Sequence, residues 1–122
     1  MTRISPSLAA STDRWEVQLR KGVLEFIILL SLDEKEQYGF ELISGIARRA
    51  ALNVPEGTLY PLLLRLAKEQ LVASRPGAGE GGAPRKYYSL TDAGRALLGA
   101  MQARWTTLGQ SVEAMLQQGD EA

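Results

Sequence analysis

Neither cysteine nor histidine occurs anywhere in the 122 residues. Without cysteine there is no disulfide framework and no thiolate chemistry. Without histidine the usual general base near neutral pH is missing, and the two absences together remove the common zinc ligands. No pair of carboxylates converges in the way acid–base catalysis requires. Asp33, Glu34 and Glu36 crowd one loop, but lack the spaced oxygen ligands and central glycine of a calcium site. Long apolar runs are also wanting: the strongest stretch, Phe26 to Leu32, falls far short of the ~18 residues a membrane span needs. The N-terminus carries no continuous apolar segment of the secretory kind. These absences point to a cytoplasmic protein that binds rather than catalyses, with no metal or other cofactor and no membrane partner.

Net charge is lacking as well, with 14 basic and 14 acidic side chains, but their distribution is uneven. Residues 1–41 hold five basic and seven acidic groups, residues 42–95 hold eight and four, and residues 96–122 hold one and three. The middle of the chain is therefore locally positive, a modest electrostatic footprint of the kind that attracts polyanions.

Residues 1–12 read as a polar tail or a short helix. Asp13 with Glu16 resembles a capping pair, and Trp15, Leu19, Val23, Phe26, Ile27 and Leu30 recur at helical spacing, which predicts a helix over about 13–32. A second helix is expected over about 39–50, with Phe40, Ile43 and Ala47 inward. Asn53 and Pro55 open a third, over about 53–69. Residues 71–75 and 85–90 are β-capable and flank PGAGEGGAP, a turn with four glycines, so 71–90 reads as a hairpin with a mobile tip. Thr91 caps a last helix of about 92–117, leaving 118–122 as a tail. The fold class is mainly α with a small β-hairpin. Two strands cannot bury a sheet face alone, so the hairpin must lean on the helices.

The third helix combines Leu59, Leu62, Leu63 and Leu66 on one face with Gly57 and Pro61 towards the other. Pro61 removes a backbone donor and crowds the carbonyl four residues back, where glycine lets the chain adjust. The exposed side is slim at its start and basic further on, at Arg65 and Lys68. That shape suits the major groove of DNA, and it is equally a solvated helix surface. Arg85 and Lys86 follow the glycine-rich tip, placed either to clamp phosphates or to discourage pairing at an exposed edge. In the last helix Met101, Trp105, Leu108, Val112 and Met115 are spaced 4, 3, 4 and 3, a heptad seam that fits a partner helix or the chain's own first helix. Trp105 and Trp15 are large aromatics near that seam, read as core or as the lining of a flat apolar pocket.

With Gly39-Phe40-Glu41-Leu42 after Tyr38, EGTLYPLLLRLAKEQLV at 56–72, APRKYYSLTDAG at 83–94 and Trp105 in the last helix, the sequence resembles the PadR family of transcriptional regulators over roughly residues 20–110. The resemblance implies a winged helix-turn-helix in residues 13–90 and a dimerisation helix in 91–117. It also implies a homodimer on double-stranded DNA, usually a repressor relieved by a small molecule; if Trp105 and Trp15 line a pocket at the dimer centre, a planar aromatic compound is the ligand that fits it. Arg65, Lys68, Arg85 and Lys86 match the family pattern as DNA contacts, with Thr58, Tyr60 and Pro61 beside them. Three positions depart from it: the family commonly has tyrosine at Phe40, a polar or basic residue at Leu64 and glycine at Gln70. The competing reading is a winged-helix module that binds protein rather than DNA.

Overall fold

The computed structural model describes residues 5–121. Helix α1 (Pro6–Glu34) leads through a two-residue strand β1 (Gln37–Tyr38) into α2 (Gly39–Ala50) and α3 (Glu56–Lys68). Strands β2 (Val72–Ala78) and β3 (Pro84–Leu90) follow, joined by a single 3-10 turn at Glu80–Gly82, and α4 (Asp92–Glu121) ends the chain. The expected class, mainly helical with a small hairpin beside a long last helix, is the one observed.

Helix α3 begins at Glu56 rather than near residue 53, with Pro55 at its N-cap, and the strands run on to Ala78 and from Pro84. Four further details differ from the sequence expectation. First, α1 begins at Pro6 rather than near residue 13, because Ser5 caps it: the Leu8 amide donates to Ser5 Oγ at 3.2 Å, and proline occupies the first turn. Asp13 and Glu16 then lie mid-helix, where Glu16 accepts from Arg20 one turn on. Residues 1–4 of the expected tail, like residue 122, lie outside the described residues. Second, α4 continues past 117 to Glu121.

Third, the hairpin gains a partner. β1 pairs with β3 (Gln37 with Tyr88, Tyr38 with Tyr87), giving an antiparallel sheet of order β1-β3-β2. Fourth, α2 buries Leu42 and Ile46, with Ile43 only partly buried, while Phe40 is 61% exposed. Phe40 and Ala47 do not face inward.

The core gathers Ile28, Leu29 and Leu32 of α1, Leu42 and Ile46 of α2, Leu59, Leu63 and Leu66 of α3, and Val72, Leu90 and Leu98 from the sheet and α4. Leu62 is only partly buried. The end of α3 is closed by a Schellman arrangement: Leu71 N–H donates to the Leu66 carbonyl at 2.9 Å and Gln70 N–H to that of Ala67 at 3.0 Å. This puts Gln70 at φ 61°, the left-handed region that favours glycine. The acidic loop is spent on ion pairs, with Glu34 bonded to Arg49 and Glu36 to Arg75. No helix among the described residues is long and apolar enough to cross a membrane.

Both long helices outrun this core. Leu8, Trp15, Val17 and Leu19 of α1 and Leu108, Val112, Met115 and Leu116 of α4 all stand exposed.

Candidate nucleic-acid interface

Helix α3 buries Leu59, Leu63 and Leu66 and therefore turns Gly57, Pro61, Leu64 and Lys68 outward, at steps of four, three and four residues. Pro61 has no amide to give the Gly57 carbonyl, and Gly57 has open space where a Cβ would stand. The first turns of this stripe are thus slim for want of side chains, not because packing requires it. Thr58 is exposed on one flank and Tyr60 on the other.

Tyr60 reaches the N-terminus of α2, where its hydroxyl and ring close on Gly39 so tightly that any Cβ there would collide with them. Beside it a cleft of about 410 Å³ opens between the starts of α2 and α3 and strand β3, lined by Tyr38, Phe40, Glu56, Tyr60, Arg85 and Lys86 among others. Arg85 lies over the Tyr38 ring at 4.7 Å, and Tyr38 meets Tyr87 edge-on at 5.5 Å. The cleft joins tyrosine phenols, two cations and two helix starts, a combination that suits a phosphate oxygen, although Glu56 offsets part of the charge.

The cations are not equivalent. Arg65 donates to Glu25 of α1 at 3.0 Å and to Glu69 at 3.1 Å, and these carboxylates raise its pKa, Glu25 most. Its guanidinium is therefore engaged by two carboxylates of the protein while still half exposed, and it leans towards α1. Arg75 is bonded to Glu36, lies over Tyr87 at 4.9 Å, and holds the Glu36 carboxyl below its ordinary pKa. Lys68 and Lys86 are exposed and make no ion pair among the described residues. Of the seven residues singled out for DNA, the structure brings Tyr60, Arg85 and Lys86 into one cleft. Pro61 and Lys68 lie on the outward stripe, Thr58 lies at its flank, and Arg65 is tied back.

Sequence reasoning missed Tyr38 and Phe40 as cleft residues. Phe40 is a large apolar group left in solvent, and its signal was the departure from the family's tyrosine.

The seam on α4 divides in two. Met101 packs on the core, and Trp105, 50% exposed, meets Phe26 with ring centroids 5.8 Å apart. Beyond it Leu108, Val112 and Met115 are exposed among the described residues, Met115 being 72% exposed. Packing against the chain's own first helix thus accounts for the start of the seam only. Under Trp105 lies a cavity of about 220 Å³ lined by Leu19, Arg20, Val23, Ile27, Ala50 and Leu52. Trp15 does not line it, and is 62% exposed.

A family model described as the transcriptional regulator PadR-like family matches residues 28–100. A solved PadR family transcriptional regulator of Eggerthella lenta is 32% identical, with a TM-score of 0.81 over 92% of this chain and 97% of that one. A PadR-like transcriptional regulator of Bacillus cereus is 39% identical, with a TM-score of 0.75 over 82% of this chain and 97% of its own. An uncharacterised protein of Lysinibacillus sphaericus is 30% identical over 99 residues, 80% of this chain and 91% of that protein.

Proposed function

The chain belongs to the PadR-like family of transcriptional regulators, and from that premise we propose that it is a homodimeric repressor reading a pseudo-palindromic operator with α3 and the β2–β3 wing. The observation that carries this reading is the one-sided arrangement of α3. Its outward stripe is slim at the N-terminal end, Lys68 ends it, and Lys86 stands on the wing beside it, both lysines without an ion pair among the described residues. A groove-entering helix flanked by a basic wing positions itself through phosphates and reads bases with the helix face. The residues 13–90 then form the DNA-binding unit and 91–117 the dimerisation helix.

Lys86→Ala is expected to weaken binding to a selected duplex and to lower the slope of log affinity against log salt by about 0.9, the value of one phosphate contact. Arg65→Ala is expected to leave that slope nearly unchanged, since Glu25 and Glu69 already occupy its guanidinium. Titrations at four salt concentrations measure both. A parental slope in Lys86→Ala would remove the wing from the interface.

A protein-binding module is favoured by one feature only, the apolar exposure of Phe40 and Leu64. A protein interface of that kind would be insensitive to salt.

The effector of this repressor is proposed as a planar aromatic compound held between Trp105 and its copy across the dimer axis. Support comes from the half-exposed indole on the seam and the apolar cavity beneath it. Planar aromatics should quench the fluorescence of the parent and fail to quench Trp105→Phe, in which Trp15 still emits. Equal quenching of both proteins would place the site elsewhere.

A further inference from the structure

The outward stripe of α3 has no hydrogen-bonding side chain before Lys68. Gly57 has none, Pro61 lacks even its amide, and Leu64 ends in two methyl groups that are free to meet another surface, the residue being 58% exposed. Asparagine, glutamine or the N–H fork of an arginine guanidinium reads base edges through paired hydrogen bonds, and none of these lies on this stripe. The only arginine of α3, Arg65, is turned to Glu25 at 3.0 Å. What remains at the middle of the helix is an apolar side chain, and the major groove offers it one apolar partner, the C5 methyl of thymine.

We propose that Leu64 is a specificity-determining residue that reads thymine methyl groups, so that each operator half-site carries a thymine whose methyl, rather than its hydrogen-bonding edge, is recognised. The proposal rests on the reading of α3 as the recognition helix. Gly57 and Pro61 support it sterically: with open space at the Gly57 Cβ position, the turns before Leu64 hold nothing bulky between the helix and the groove floor. Leu64 stands close enough to a base edge only if those turns are slim. Burying one methyl group against a leucine accounts for about fourfold in affinity per half-site.

The test begins with enrichment of a random duplex library on the full chain at fixed salt. Each thymine of the enriched duplex is then replaced by deoxyuridine, which keeps the Watson–Crick edge and lacks only the methyl. Affinity should fall about fourfold at one position per half-site. At that position a C·G pair should bind weakly and 5-methylcytosine should recover part of the loss. Leu64→Ala, altered at an exposed site, should keep its thermal stability and salt slope and stop distinguishing thymine from deoxyuridine. Tight binding of the enriched duplex with no position sensitive to the methyl would overturn the role of Leu64 and leave the DNA-binding function standing. Methyl sensitivity that persists in Leu64→Ala would assign the contact to another residue. Failure to enrich or bind any duplex, even at low salt, would overturn both.

Discussion

Val112→Glu should convert the protein to a monomer at micromolar concentration and lower its affinity for a two-half-site operator by a hundredfold or more. Val112 lies midway along the uncovered part of the α4 seam, with Leu108 one turn before it and Met115 and Leu116 one turn after. In a paired seam it faces the partner helix, and a carboxylate there would be desolvated with no partner charge, at a cost of several kcal/mol. The DNA consequence follows from linkage: two half-sites held by one dimer bind with an effective concentration that a monomer loses, commonly 10²–10⁴ in affinity. Because Val112 is 47% exposed and lies outside the core cluster, the protomer should keep its helical spectrum. Ala103→Glu, on the opposite side of the same helix, should remain a dimer. Sedimentation velocity separates the species, and a monomeric parent would refute the seam and with it the paired half-sites about one helical turn apart.

What the sequence made legible was local. The leucines 59, 63 and 66 sit on one face of α3 because a 3.6-residue period needs no knowledge of the rest of the chain, and all three are fully buried. The four glycines of residues 76–84 likewise mark the hairpin without reference to what it packs on, although Gly77 lies in β2 rather than in the tip. The misses are of another kind. β1 is two residues long and is a strand only because β3 lies beside it. The inward face of α2 was read as 40, 43 and 47 when 42 and 46 occupy it, since a short helix with apolar residues at 40, 42, 43 and 46 fits two phases and packing against α1 and α3 chooses between them. The ion pair of Arg65 with Glu25 was not legible either, because the two residues are forty positions apart. At Gln70 the resemblance pointed to glycine, and φ 61° gives the physical reason: the Schellman turn requires a left-handed residue whatever the side chain.

Gly94→Ala should destabilise the fold by about 3–5 kcal/mol, in the range reserved for backbone collisions and broken polar junctions. The Cβ of an alanine at 94 would overlap the backbone carbonyl oxygen of Leu71, a group that no rotamer change can move away. That carbonyl also accepts the Thr91 amide at 3.2 Å, while the Thr91 hydroxyl donates to the Gln70 carbonyl at 2.7 Å and caps the Gly94 amide at 3.0 Å. Lifting α4 to admit the methyl would strain the two bonds from Thr91 to the Leu71 and Gln70 carbonyls, each contributing about 1 kcal/mol. The same movement would pull Leu98, 3% exposed, out of the core one turn further on. Gly99→Ala is the counterpart in the same helix. Its Cβ would meet nothing within 4 Å, so the change should stabilise by about 0.5–1 kcal/mol through helix propensity alone. Denaturant unfolding of the two variants should therefore move the midpoint in opposite directions. If Gly94→Ala unfolds like the parent, the start of α4 is not seated on the Leu71 carbonyl, and the coupling of α4 to the end of α3 is lost with it.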